Sequence, residues 1–366
     1  MTDTPPIVAF DKVSKTYDEK SWIVDNLSLD IRAGEFLTLL GPSGSGKTTT
    51  LMMLAGFETP DHGRILMDGR DIVPLAPHKR DMGVVFQSYA LFPHMSVDEN
   101  IEFPLVARGV AAGERRRRVA EALDLVQLGA LGGRRPGQLS GGQQQRIALA
   151  RALVYRPRLV LMDEPLGALD KALRLHMQTE IKQLHQQLGL TFVYVTHDQD
   201  EALTMSDRIA IFHQGKIAQL GGPEELYNRP RDVFVAGFLG QTNLLTGRYD
   251  GVDDQCSVIR LADGTALRAQ RPEEGAFTLG QTVNAAIRPE RIRLAPAGAA
   301  GPAADGAVLA GPVTSCVFHG DHLTLHVDIL GRDVVAKINP GETGALPVPG
   351  EIVRLLLPSR VTLALA

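Results

Sequence analysis

Apolar residues in the first 240 positions follow two rhythms: short continuous runs, and stripes spaced three and four apart, with Gly and Pro between them. Phe36 to Leu40, Leu159 to Met162 and Phe192 to Val195 are runs with almost no polar face, so they read as strands covered on both sides, as in a parallel sheet. Leu173, Met177, Ile181, Leu184 and Leu188 recur at spacings of four, four, three and four, which predicts a helix from about Asp170 to Leu188 with Gly189 as its stop. Ile209 to His213, Gln214-Gly215 and Lys216 to Leu220 predict a hairpin closed by a two-residue turn. Strands alternating with helices over this length predict a parallel α/β sheet with crossover helices. After about Phe238 the helical rhythm fades. Val283 to Ile287, Leu323 to Ile329 and Ile352 to Leu357 are short β-rich runs between turn residues, the pattern of a small all-β domain. Ala295 to Gly306, rich in Ala, Gly and Pro, reads as a flexible connection between two β lobes.

The 366 residues allow more than one core, and the change of rhythm divides them into 1–237 and 238–366. Thirty-eight Lys and Arg against 42 Asp and Glu, with 44% apolar residues, exclude a disordered chain and a strongly basic nucleic-acid binder. The all-β segment from 241 on carries 11 basic and 13 acidic residues and only Tyr249, Phe277 and Phe318 as aromatics, too few for a stacking platform. No nucleic acid is therefore expected as a partner. No run approaches the ~18 apolar residues of a membrane span, Met1 to Phe10 lacks the pattern of a signal peptide, and Cys256 and Cys316 form no framework. These features predict a cytoplasmic protein with reduced thiols.

Gly41-Pro42-Ser43-Gly44-Ser45-Gly46-Lys47-Thr48 follows an apolar strand and precedes the helical run from Thr49 to Leu54. That is the context of a phosphate-binding loop, or Walker A motif: glycines let successive N–H groups face phosphate oxygens, and the helix N-terminus adds a positive dipole end. Lys47 would neutralise the β and γ phosphates and Thr48 would ligate magnesium. The strand Leu159 to Met162 ends in Asp163-Glu164, at the edge where α/β sheets bind ligands. Asp163 suits magnesium coordination, and Glu164 suits orienting or deprotonating the attacking water.

Leu139-Ser140-Gly141-Gly142-Gln143 opens another helix. Ser140 and Gln143 fit a capping box, but a cap does not account for two glycines in a first turn, where glycine costs stability; approach of an anion to bare backbone does.

Together these motifs resemble the ATPase subunit of an ATP-binding cassette (ABC) transporter. The resemblance implies a P-loop NTPase fold, a RecA-like core with a helical signature subdomain at about 88–155, and two copies facing each other head to tail. Each ATP would then lie between one copy's phosphate loop, Gly41 to Thr49, and the signature residues Ser140, Gly142 and Gln143 of the other. The resemblance further implies Tyr17 as the adenine-stacking aromatic, Gln87 as the loop glutamine touching magnesium, Asp170 in Gly167-Ala-Leu-Asp as a nucleotide-site residue, and His197 as the γ-phosphate switch. Taken alone, Tyr17 fits any half-exposed strand aromatic, Gln87 a polar loop residue and Asp170 a helix N-cap.

Phe238-Leu-Gly-Gln-Thr-Asn243 and Ile287-Arg-Pro-Glu-Arg-Ile292 resemble the transport-associated OB-type (TOBE) domain of importer ATPases. The resemblance implies catalysis by Lys47, Gln87, Glu164 and His197 with ATP and Mg2+. It places the protein on the cytoplasmic face of the plasma membrane under two transmembrane permease subunits, with a periplasmic or surface solute-binding protein as an indirect partner. Phe86 to His94 is most similar to polyamine importers, spermidine or putrescine being the cargo, although sugars, glycerol phosphates, opines and phosphonates stay open. The loop Ser88 to Met95 is expected to expose Tyr89, Leu91 and Phe92 in a groove for a permease helix. A soluble cassette ATPase acting on ribosomes or DNA would resemble a fused pair of cassettes or carry a coiled-coil insertion, and this chain has neither.

Overall fold

A computed structural model describes residues 5–167, 169–271, 276–296, 301–303, 306–342 and 346–366. It divides into two compact units, Met1–Pro223 and Glu224–Ala366. The sequence reading drew this boundary at 237.

The first unit runs β1 (Val8–Thr16), β2 (Trp22–Ile31), β3 (Phe36–Leu40), α1 (Lys47–Ala55), β4 (His62–Met67), β5 (Arg70–Asp71), β6 (Met82–Val85), α2 (Val97–Ala107), α3 (Ala112–Leu125), α4 (Gly141–Leu153), β7 (Leu159–Asp163), α5 (Lys171–Leu188), β8 (Thr191–Thr196), α6 (Gln199–Met205), β9 (Arg208–His213) and β10 (Lys216–Gly221). One sheet has the order β10-β9-β3-β8-β7-β6. All its pairings are parallel except that of β10 with β9. Every residue of β3, β7 and β8 is buried, because α4 and α5 cover one face and α1 with a second sheet covers the other, as the uninterrupted apolar runs predict. The β9–β10 turn is Gln214-Gly215, with φ of 48° and 78°, the doubly positive pair of a type I′ hairpin turn. Helix α5 starts with the Asp170 carboxylate accepting from Leu173 N at 2.9 Å and stops at Gly189 with φ 61°, and Met177, Ile181 and Leu184 of the expected stripe are buried.

A second sheet, β2-β1-β4-β5, is antiparallel and shares its apolar cluster with α1 and the parallel sheet. Helices α2, α3 and α4 form a separate small core around Ile101, Leu123 and Ile147. The Arg115–Arg118 run lies on α3, where Arg115, Arg117 and Arg118 pair with Glu102, Glu114 and Glu121, a solvated surface as its spacing implies.

The second unit begins with α7 (Pro223–Asn228) and α8 (Val233–Phe238) and continues as β11 (Asn243–Asp253), β12 (Cys256–Arg260), β13 (Ala266–Gln270), β14 (Thr282–Ile287), β15 (Arg293–Leu294), β16 (Gly301–Ala303), β17 (Gly306–Phe318), β18 (Leu323–Ile329), β19 (Arg332–Ile338), β20 (Ile352–Pro358) and β21 (Leu363–Leu365). Strands β11-β12-β13-β21-β14 close a five-stranded barrel, and β15-β20-β17-β18-β19 form a second sheet. The fold is thus a P-loop α/β core followed by an all-β, OB-like unit. Of the segment read as a flexible connection, Gly301–Ala303 is a strand paired with β17, whereas 297–300 and 304–305 lie outside the described residues.

Candidate functional site

Four parallel strands deliver the expected catalytic residues to one edge: β3 leads into the Gly41–Thr48 loop, β6 into Gln87, β7 ends at Asp163-Glu164 and β8 runs into His197. Side-chain contacts join all four strand ends through Asp163 and Glu164. Thr48 Oγ1 donates to Asp163 Oδ1 at 3.0 Å. Gln87 Nε2 donates to Glu164 Oε2 at 3.4 Å, and His197 Nδ1 stands 3.2 Å from Glu164 Oε1. Glu164 is therefore held from both sides. Its backbone has φ 43°, a left-handed conformation that costs a non-glycine residue about 1–3 kcal/mol and aims the side chain out of the strand line.

The loop's glycines have local reasons. A Cβ on Gly41 would stand 2.5 Å from the Phe212 carbonyl oxygen, and Gly46, with φ 101°, would clash with that of Ile23 at 2.4 Å. Gly44, with φ 76°, is exposed beside Ser43. Gly46 caps α1 without a side-chain hydrogen bond and the first turn holds no acid, so this N-terminus presents N–H groups and no competing anion. The Lys47 ammonium, buried, donates to the Gly41 and Pro42 carbonyls at 2.9 Å each. Burial lowers its pKa, opposed by the charges of Glu164 and Asp163. Burial raises the Asp163 carboxyl, opposed by the Thr48 hydrogen bond. Ser45 Oγ is buried without a hydrogen-bond partner among the described residues. A buried hydroxyl lacking a partner, a cation over the loop and a donor-rich helix end together fit a polyphosphate.

Other expected residues stand outside this contact cluster. Tyr17, 60% exposed, follows β1, and the Lys15 ammonium lies 5.3 Å from its ring centroid. Thr49 is in the first turn of α1 and Asp170 caps α5; Ala168 of the same motif lies outside the described residues. Ser140 Oγ accepts from Gln143 N at 3.4 Å while Gln143 Oε1 accepts from Ser140 N at 3.0 Å, so the capping box is formed. The two glycines do not share one explanation: a Cβ on Gly142 would press on Leu173 of α5 at 3.1 Å, a packing reason independent of any anion, whereas Gly141 is exposed.

One expectation is corrected. Tyr89 is not an exposed groove residue: it is 6% exposed, at φ 60°, and packs in the core beneath α4 and α5. The loop is drawn inward by Arg151 of α4, which donates to the Tyr89 and Ala90 carbonyls at 2.8 Å each. Leu91 and Phe92 are half-buried, the Phe92 ring tilted against Phe103 at 4.8 Å between centroids, and Phe103 is 43% exposed.

Sequence reasoning missed three polar residues. Arg80, buried, donates to the carbonyls of Leu75, Met53, Leu54 and Val73 and so ties off the end of α1. Arg174, half-buried, and Glu201, buried, meet beside the segment that carries His197. Asp198-x-x-Glu201 had the spacing of a capping box, a usable signal, but Glu201 turns inward to accept from Tyr194 OH and Thr196 Oγ1.

Comparison with known proteins fits this geometry. Residues 24–167 match the family model described as ABC transporter, and 285–365 match that of the TOBE domain. The chain is 47% identical to the spermidine/putrescine import ATP-binding protein PotA of Rubrobacter xylanophilus, over 99% of this chain and 94% of that one. It is 49% identical to PotA 2 of Pseudomonas aeruginosa over 93% and 92%. Among solved structures, the dimeric ATP-binding cassette MJ0796 in a post-hydrolysis state bound to ADP and Pi is 34% identical, with a TM-score of 0.54 over 59% of this chain and 98% of that one.

Proposed function

The chain belongs to the ABC transporters as the ATP-hydrolysing subunit of an importer, and we propose that it powers the uptake of a polyamine such as spermidine or putrescine. The observation that carries the catalytic assignment is Glu164 held between Gln87 and His197 beside the Thr48–Asp163 pair. In this reading ATP seats its phosphates on the N-terminus of α1 and on Lys47, whose ammonium exchanges loop carbonyls for phosphate oxygens. Tyr17 stacks on the adenine. Glu164 holds a water in line with the γ-phosphate and accepts its proton, and His197 and Gln87 keep the carboxylate aimed.

The residues fit magnesium. Among the described residues no group of three or more His, Cys, Asp or Glu is placed to hold a metal ion by itself, so a divalent ion would draw its remaining oxygens from phosphate, as magnesium does. Thr48, Asp163 and Gln87 would hold it. When bound it offsets the charge on the β and γ oxygens.

The second half of the site is assigned to another copy of the chain, contributing Ser140, Gly142, Gln143 and Asp170. That the similar MJ0796 cassette is dimeric supports this arrangement. Two permease subunits at the membrane's inner face complete the importer, with a solute-binding protein delivering cargo to them. Among the described residues no helix is long and apolar enough to cross a membrane, consistent with a peripheral subunit. With Tyr89 buried, the permease-facing residues of the loop narrow to Leu91 and Phe92, and Phe103 of α2, 43% exposed beside Phe92, joins them. The β unit serves dimer contact and regulation.

The polyamine reading rests on the spermidine/putrescine import function of the similar PotA proteins. ATP hydrolysis by the reconstituted importer should rise with spermidine or putrescine in the presence of the binding protein. Stimulation by a sugar and not by either polyamine would reject the cargo while leaving the ATPase reading intact.

A further inference from the structure

Three segments that the catalytic description leaves separate meet at one guanidinium. Arg174, one turn into α5, donates through Nη2 to the Leu169 carbonyl at 3.1 Å and through Nη1 to Asp198 Oδ2 at 3.1 Å. Its Nε faces Glu201 Oε1 at 3.9 Å. Leu169 immediately precedes Asp170, and Asp198 immediately follows His197. The guanidinium therefore ties the backbone at Leu169 to the short segment that carries the histidine.

That segment is fixed at both of its ends. On one side, Thr196 Oγ1 donates to Glu201 Oε2 at 2.7 Å and accepts from Asp198 N at 3.0 Å. On the other, Asp198 Oδ1 accepts from the N–H groups of Asp200 and Glu201, capping α6. Glu201 is 3% exposed and its remaining oxygen faces the Arg174 Nε, an atom buried without a hydrogen-bond partner among the described residues although the Arg174 side chain as a whole is 30% exposed. Between these anchors the imidazole of His197 projects, 59% exposed, to within 3.2 Å of Glu164. A histidine side chain exposed to this degree has no packing of its own to set its direction. Its aim depends on the backbone on either side, and that backbone is held by Arg174, Asp198 and Glu201.

We propose that Arg174 is a positioning residue for hydrolysis, a fork that holds His197 in register with the Leu169–Asp170 loop so that Glu164 is aimed only when that loop is seated. The inference rests on the catalytic reading above and adds a residue to it. A lysine is a poor substitute, because a single ammonium lacks the planar fork that serves a carbonyl and a carboxylate at once. A displacement of the reacting groups by about 1 Å can cost on the order of 100-fold in rate.

The test uses the full-length chain and reads ATP turnover, the KM for ATP, and nucleotide affinity by equilibrium binding. Arg174→Ala should lower kcat by about 10- to 100-fold with KM and affinity within about twofold of wild type, and Arg174→Lys should recover only a small part of the loss. Glu201→Gln, whose amide oxygen can keep both hydroxyl hydrogen bonds while an uncharged NH2 replaces the oxygen facing Arg174, should lower kcat less. The Arg174→Ala, Asp198→Asn double variant should be no slower than the worse single variant, since asparagine keeps the cap on α6 and both changes break the Arg174–Asp198 contact.

Wild-type kcat in a folded Arg174→Ala protein would overturn the proposal. Equal losses in kcat and affinity, or additive losses in the double variant, would also do so, because they would make Arg174 a fold residue. Glu164→Gln is measured alongside: if it hydrolyses ATP at the wild-type rate, the catalytic reading itself fails; if it collapses while Arg174→Ala does not, only the fork is wrong.

Discussion

Lys47 in the phosphate loop and Arg288 at the end of β14 are both buried cations whose charged form burial disfavours, yet their surroundings differ. Arg288 donates to the carbonyls of Ala236 at 2.8 Å and Tyr227 at 3.0 Å and to Thr242 Oγ1, and its guanidinium lies 4.1 Å from the Tyr227 ring centroid. Its donors are spent on the segment that precedes the barrel. Lys47 leans on two carbonyls of its own loop and stands near two carboxylates, with a buried unpartnered hydroxyl in the same loop. A cation saturated by fixed backbone is a structural tie. A cation with exchangeable partners at a helix N-terminus is a binding group.

Substitutions sharpen this contrast, the largest effect lying in the first unit. Glu164→Gln keeps the side-chain shape and removes the base, so turnover should fall by about 100- to 10,000-fold while ATP binding persists. Light scattering should then show the ATP-bound dimer accumulating; a variant that remains monomeric with ATP would break the two-chain site. Lys47→Ala should weaken ATP binding itself by about 10- to 100-fold, the cost of losing a charge-assisted hydrogen bond. Ser140→Arg should leave monomer binding unchanged and block dimer formation.

Arg288→Ala should leave nucleotide affinity untouched and lower the thermal midpoint of the second unit by about 5 °C, since buried carbonyls lose their donor. If it weakened ATP binding as Lys47→Ala does, the distinction between the two cations would fail. The smallest effect concerns Asp163. Its folded pKa is raised, so the stability tied to its proton is complete below the unfolded value of about 4 and is lost as pH rises through the folded value. At pH 7 the ionised carboxylate therefore costs stability, and Asp163→Asn should raise the midpoint by about 1–3 °C while abolishing hydrolysis. At pH 3 calorimetry should find the two proteins alike; a difference that persists there would assign the effect to something other than charge.

Much of the first unit was legible along the chain. The apolar runs at 36–40, 159–162 and 192–195 lie within the fully buried strands, and the stripe and Gly189 bounded α5, because these features depend on neighbours within a few residues. The phosphate loop was legible for the same reason: its glycines, lysine and threonine act as one local turn. The antiparallel sheet β2-β1-β4-β5 carried no comparable signal, since its pairings involve irregular registers and a two-residue strand. Tyr89 was misread because an aromatic in a polar loop looks exposed until Arg151, 62 positions away, draws its backbone inward.

By itself the sequence determined the chemistry available at each strand end: a cation and hydroxyl after β3, two carboxylates at the end of β7, an amide after β6 and an imidazole after β8. Tertiary structure alone decided which of them touch. Thr48 meets Asp163 across 115 positions and Gln87 meets Glu164 across 77, distances over which no local pattern reports. Closure of the barrel is of the same kind, with β21 returning from the far end of the chain to pair with β14. So is the fork at Arg174, whose helical position marks it only as a polar residue until the sheet order places β8 and its histidine beside α5. Local periodicity encodes what a segment can become, whereas contacts between segments follow from the single arrangement that buries all their apolar faces at once.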